Sequence, residues 1–214
     1  MSKLDIIDRI VNPGILAVIR ADSSEQLMGA AEALYEGGVI GLEVTMTTPD
    51  ALQVIHDVSK RFGKKVLVGV GTVLDVETAR AAILAGSQFV VTPVCRPEVI
   101  KLCNRYSIPV TAGAYTPTEA LTVHESGADF VKIFPADQLG PQYIKNLLAP
   151  LPQLRIIPTG GVNLSTVEAF IKAGCVALGA GSSLVSKDVL QNQDWKKLTE
   201  TAAAFVEAIK KARA

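Results

Sequence analysis

The sequence predicts an α/β protein of the (β/α)8 TIM-barrel class with an extra N-terminal helix, and three observations predict it. Eight short β-branched runs alternate with longer stretches of helical periodicity. The runs recur roughly every 20 to 26 residues, the length of one strand–helix unit with tight connections. Glycines fall where the helical stretches should stop. With 214 residues and 49% hydrophobic content the chain suits one well-buried core and is short for two, so residues 1–214 are read as a single barrel domain.

In chain order, residues 4–11 read as the extra helix, laid across the barrel bottom. Strands are predicted at 15–19, 40–45, 66–70, 89–92, 108–111, 130–134, 155–158 and 176–179. Leu27, Ala31 and Leu34 share one helical face after the first strand, as do Leu52, Ile55, Val58 and Phe62 after the second. Asp22 with Glu25 has the spacing of a capping box, and Thr116-Pro117-Thr118-Glu119 adds a proline at the first helical position. Gly37-Gly38, Gly86, Gly127 and Gly174 supply helix stops. A doubly wound open sheet is the competing arrangement, but eight evenly spaced units leave it no obvious edge or switch point.

Composition removes several function classes. Lys+Arg 21 against Asp+Glu 21 gives zero net charge, which offers no global attraction for nucleic acid or an anionic membrane. Cys95, Cys103 and Cys175 lack metal-ligand spacing, and His56 and His124 lie in helix-like stretches, so no metal site is predicted. No apolar run reaches membrane-spanning length and the first residues lack a signal-peptide core, which makes a reducing cytoplasm the expected location.

Two charges stand inside runs that otherwise read as buried strands: Lys132 in Phe130-Val131-Lys132-Ile133-Phe134 and Glu43 in Ile40-Gly41-Leu42-Glu43-Val44-Thr45. Lysine is almost never buried unless paired. Burial of an amine in general disfavours its charged form, leaving a nucleophile able to attack a carbonyl. Strand alternation sends Phe130, Lys132 and Phe134 to one face and Gly41, Glu43 and Thr45 likewise, so both charges aim at the barrel axis near the strands' C-terminal ends, where barrel enzymes keep their sites. The pair is either a structural ion pair or a nucleophile with its acid/base partner; since desolvation offsets much of a buried pair's attraction, chemistry explains it better.

Two glycine clusters follow the seventh and eighth runs, Thr159-Gly160-Gly161-Val162-Asn163 and Gly179-Ala180-Gly181-Ser182-Ser183. Each alone reads as a tight turn; together, after these two strands, they suit a phosphate or similar anion held by free backbone N–H groups. Arg20, Thr45, Thr47, Thr72 and Thr92 are further strand-end polar groups that could converge on the same mouth, the arginine being suited to a carboxylate. Cys95, close after Pro93, reads as packing, and the two histidines as helix-face residues.

Gly41-Leu-Glu43-Val-Thr45, Gly69-Val-Gly-Thr72-Val, Val-Thr-Pro93, Lys132-Ile-Phe134-Pro-Ala136, Pro158-Thr159-Gly160-Gly161-Val and Gly179-Ala-Gly181-Ser182-Ser resemble, in order and spacing over essentially the whole chain, the 2-keto-3-deoxy-6-phosphogluconate (KDPG) and 4-hydroxy-2-oxoglutarate (KHG) aldolase family. The resemblance implies that Lys132 forms a Schiff base with the substrate ketone and that Glu43 shuttles protons. It also implies that Thr72 lies where the carboxylate is held, that Pro93 and Phe134 wall the pyruvyl pocket, and that Thr159, Gly160, Gly161, Gly181 and Ser182 take the far end of the substrate and its phosphate. Some members carry an arginine where this chain has Thr47, and others an arginine at the end of strand one, where this chain has Arg20. From that departure Arg20 is expected at the carboxylate.

The activity so implied is reversible cleavage of KDPG to pyruvate and glyceraldehyde 3-phosphate by a homotrimer needing no cofactor or metal and no nucleic-acid or membrane partner. The galactonate epimer and 4-hydroxy-2-oxoglutarate are alternative substrates within the family, and Thr159 leans toward the gluconate type. A sugar-phosphate isomerase, epimerase or synthase barrel, or a non-catalytic metabolite binder, would share the glycine turns without needing an imine-forming lysine.

Overall fold

Side-chain alternation along the eight runs decides the architecture. The computed structural model describes residues 1–21 and 23–214. Its strands are β1 (Ile15–Ile19), β2 (Gly41–Thr45), β3 (Leu67–Gly71), β4 (Val90–Thr92), β5 (Val110–Ala114), β6 (Phe130–Ile133), β7 (Ile156–Pro158) and β8 (Leu178–Ala180). They pair in parallel in the order β7-β6-β5-β4-β3-β2-β1-β8. A parallel bridge between Thr159 and Gly179 and a 3.0 Å bond from Val176 N–H to the Ile156 carbonyl join β7 to β8, which rules out the open sheet.

The helices are α1 (Lys3–Val11), α2 (Ser24–Glu36), α3 (Ala51–Phe62), α4 (Val76–Ala85), α5 (Pro97–Arg105), α6 (Pro117–Glu125), α7 (Gly140–Leu148), α8 (Val167–Lys172), a short α9 (Lys187–Gln191) and α10 (Trp195–Arg213). Asp22, expected as a cap, lies outside the described residues; Ser23 caps α2, its hydroxyl accepting from Gln26 N–H at 3.2 Å. The box at Thr116 is complete: Thr116 Oγ1 accepts from Glu119 N–H and Glu119 Oε2 accepts from Thr116 N–H at 2.8 Å. β5 runs to Ala114, three residues beyond its predicted end, because pairing with β4 and β6 holds Ala112-Gly113-Ala114 extended despite the segment's weak β-propensity.

The alternation divides the apolar residues into two cores. Leu42, Val44, Val131 and Ile133 pack outward under the helices. Leu16, Leu67, Phe89, Val91, Phe130 and Ile157 fill the barrel interior, closed from below by Ile6, Ile7 and Ile10 of α1. Glycine makes that filling possible, since a Cβ at Gly69 would stand 2.3 Å from the Phe89 ring and one at Gly41 2.4 Å from Leu16. Cys103 and Cys175 are buried packing residues whose thiols burial pushes up to about 12, and the half-buried Cys95 packs against the outer core.

Ile10 is fully buried in the plug. Ile10→Ala should therefore cost about 2–5 kcal/mol in urea unfolding. A loss below about 1 kcal/mol would show α1 to be outside the cooperative core.

Candidate active site

The site begins where the apolar filling stops. One turn of alternation above Phe130, Lys132 points into the barrel from β6; Glu43 does so from β2, beside Val18 in register on β1. Their side chains are 6% and 3% exposed, with Lys132 Nζ 3.7 Å from Glu43 Oε1. That separation exceeds a good hydrogen bond but keeps the two charges within ion-pair reach. The Phe134 ring, on the same face of the chain two residues on, has its centroid 5.1 Å from the ammonium.

Missing side chains shape the space around the pair. A Cβ at Gly71, register partner of Thr45, would stand 2.0 Å from Glu43 Oε1 and 2.6 Å from its Cδ, so glycine is what lets the carboxylate occupy this position. Gly113, register partner of Lys132, likewise admits the backbone of Pro93, whose carbonyl would lie 2.1 Å from an added Cβ. Gly179 makes room for the Thr159 hydroxyl, at 2.4 Å.

Above the pair a cavity of about 350 Å³ opens between Val18, Arg20, Phe134, Thr159 and the turns at Gly160-Gly161 and Gly181-Ser182. Lys132 and Glu43 do not line it themselves; Phe134, beside the ammonium, and Val18, in register with Glu43, connect it to the pair. Gly160 and Gly161 take φ of 91° and 70°, a region that favours glycine. Thr166 Oγ1 donates to the Gly161 carbonyl at 2.9 Å, and Ser183 Oγ to the Val162 carbonyl at 2.5 Å, so the second turn is bonded to the first.

The structure thus brings Lys132 and Glu43 together and gathers Arg20, Phe134, Thr159, Gly160, Gly161, Gly181 and Ser182 around one cavity. Thr45, Thr47, Thr72 and Pro93 stand at the ends of β2, β3 and β4, on the other side of the mouth. Thr45 and the exposed Thr47 share a 2.8 Å hydrogen bond, and Thr72 holds φ of 62°, uncommon for a β-branched residue and of the kind found at ligand-binding turns. Arg20 lines the same cavity as Phe134 and the glycine turns, its strand β1 standing between β8 and β2. Thr92 does not reach the mouth; it is fully buried on the outward face, its hydroxyl donating to the Val94 carbonyl at 3.1 Å. Asn163 and Ser183, the last residues of the two glycine clusters, also line the cavity, and so does Val18, which was missed although its inward parity with Arg20 was the signal.

Residues 6–201 match the family described as KDPG and KHG aldolase. The 2-dehydro-3-deoxy-6-phosphogalactonate aldolase of Escherichia coli K12 is 35% identical over 92% of this chain and 95% of its own. The 2-dehydro-3-deoxy-phosphogluconate aldolase of Haemophilus influenzae is 31% identical over 96% and 97%. Among solved structures, the KDPG aldolase of Legionella pneumophila, in which pyruvate was captured as a covalent carbinolamine intermediate, superposes with a TM-score of 0.84 at 28% identity, covering 90% of this chain and 93% of that one.

The Gly71 contact yields a direct test. In Gly71→Ala the methyl group meets the flexible end of Glu43, so the protein should fold with a loss of about 1–3 kcal/mol. Its crystal structure should show the Glu43 carboxylate pushed beyond the reach of an ion pair, about 4 Å, from Lys132 Nζ. An unmoved carboxylate would show that Gly71 does not position it.

Proposed function

The chain belongs to the KDPG and KHG aldolase family, and on that premise we propose that it cleaves 2-dehydro-3-deoxy-6-phosphogluconate reversibly to pyruvate and glyceraldehyde 3-phosphate, with Lys132 as imine-forming nucleophile and Glu43 as acid/base. One observation carries the assignment: a buried amine and carboxylate 3.7 Å apart adjoin, through Phe134 and Val18, a cavity that is also walled by a double glycine turn suited to an anion.

Lys132 passes a proton to Glu43 and its amine adds to C2 of the 2-oxo acid to give a carbinolamine, whose hydroxyl leaves as water on taking that proton back from Glu43, forming a protonated imine. Glu43 accepts the C4 hydroxyl proton as the C3–C4 bond breaks; the bonding electrons flow into the imine and leave an enamine and the aldehyde. Protonation of the enamine at C3 gives the pyruvate imine, and water releases pyruvate and restores the amine. The iminium serves as the electron sink, so the reading requires no metal or cofactor.

Thr72, Thr45, Thr47 and Pro93 are assigned to the carboxylate and pyruvyl end, and Phe134 to the wall beside the imine. Thr159, Gly160, Gly161, Gly181 and Ser182 are assigned to the far hydroxyls and phosphate. Arg20 is assigned to the carboxylate, in place of the arginine that some members carry where this chain has Thr47, and it shares a cavity with Phe134. The galactonate epimer is the second reading, supported by 35% identity to an aldolase of that substrate. A homotrimer acting in the cytoplasm completes the proposal; family resemblance supports the first and three free cysteines the second.

Release of pyruvate from the two epimers, measured side by side, tests the reading. Turnover of the gluconate substrate should exceed that of the galactonate one, and Glu43→Gln should lower it by about two to four orders of magnitude while the circular dichroism spectrum stays native. No pyruvate from either epimer would defeat the aldolase assignment; near-normal turnover by Glu43→Gln would remove Glu43 from proton transfer.

A further inference from the structure

We propose that Thr92, from the outer face of the barrel, is a positioning residue for the pyruvyl pocket: its hydroxyl fixes the Pro93-Val94 turn beside the strand that carries Lys132. The inference rests on the aldolase reading, in which Pro93 walls that pocket.

Parity separates Thr92 from the wall it holds. On β4 Val90 faces the outer core and Val91 the barrel interior, so Thr92 points outward and Pro93 inward. On β5 Val110, Ala112 and Ala114 face outward, which leaves Gly113 facing in, in register with Lys132 on β6. A Cβ added at Gly113 would lie 2.1 Å from the Pro93 carbonyl carbon and oxygen and 2.4 Å from the Val94 nitrogen. The Pro93-Val94 peptide therefore fills the place of an inward side chain next to Lys132, and its placement sets that side of the pocket.

Few contacts fix that peptide. Proline brings no N–H, and the Val94 side chain, 41% exposed, offers little packing. Among the described residues the hydrogen bonds to Pro93 and Val94 come from two groups. Thr92 Oγ1 accepts from Val94 N–H at 3.3 Å and donates to the Val94 carbonyl at 3.1 Å, and Gly113 N–H donates to the same carbonyl at 3.3 Å. Thr92 is fully buried, so solvent does not compete for its hydroxyl. Reaction rates are sensitive to such placement, since a misplacement of about 1 Å can cost about 10²-fold.

The test removes the hydroxyl and keeps the shape. In Thr92→Val the rate at which pyruvate and borohydride label Lys132 should fall about tenfold, and kcat/KM should fall equally on KDPG and on its unphosphorylated counterpart, 2-keto-3-deoxygluconate, because both share the pyruvyl end. Thr92→Ser, which keeps the hydroxyl, should recover most of the rate. Hydrogen exchange at the Val94 and Gly113 amides reads the clamp without catalysis and should quicken in Thr92→Val but not in Thr92→Ser. Unchanged labelling of Thr92→Val, or an equal loss in Thr92→Ser, overturns the proposal. Should Thr92→Val not fold, Thr92→Ala removes the same hydroxyl with less bulk; if neither folds, Thr92 serves the fold and the proposal falls. If the unaltered protein forms no adduct with pyruvate, the aldolase reading fails and takes the positioning role with it, while amide exchange still decides whether Thr92 holds the turn.

Discussion

The constraint on which this barrel depends is the placement of two opposite charges inside it. Removing an ammonium and a carboxylate from water costs several kcal/mol each, and their attraction offsets that only while both are present. At 3.7 Å the pair is not at its tightest geometry, which suits groups that must separate around a reacting carbon better than groups kept for stability. The apolar floor of Leu67, Phe89, Phe130 and Ile157, sealed by α1, keeps water away from below. Access is left from the strand C-termini, where the cavity opens.

Strand order then distributes the chemistry. β7, β8 and β1 are neighbours around the closed barrel, so the turns after the first two and the arginine after the third line one cavity. The ends of β2, β3 and β4 carry hydroxyls and a proline on the other side. A substrate with a carboxylate at one end and a phosphate at the other can lie across the mouth with its reactive carbons over the pair, a positioning that converts an encounter into an effectively intramolecular step. Absent side chains matter as much as present ones: Gly71, Gly113 and Gly179 each admit a close neighbour, the carboxylate of Glu43, the backbone of Pro93 and the hydroxyl of Thr159.

Much of this was legible from residue types and spacing. The runs around Lys132 and Glu43 identified the strands, and period-two alternation alone sent both charges inward; the structure agrees on each. The glycine turns were legible because positive φ and close approach have a residue signature. Three features were not. β5 extends through Ala112-Gly113-Ala114, which carries no β-propensity signal, because its neighbours impose the conformation. That Arg20 shares a cavity with the turns after β7 and β8 depends on which strands are adjacent, a property of closure that local pattern does not encode. Thr92 shows the reverse error: a hydroxyl at a strand end looks like a substrate contact until parity turns it outward onto its own backbone.

The claim at the centre of this account is that Lys132 forms the imine. Incubation with pyruvate and borohydride, followed by peptide mass mapping, tests it most directly, because reduction fixes an imine as a stable amine at the lysine that carried it. The account predicts a single reduced pyruvate adduct on the peptide containing Lys132 and none on Lys132→Ala. An adduct on another lysine, or one that survives in Lys132→Ala, would contradict it.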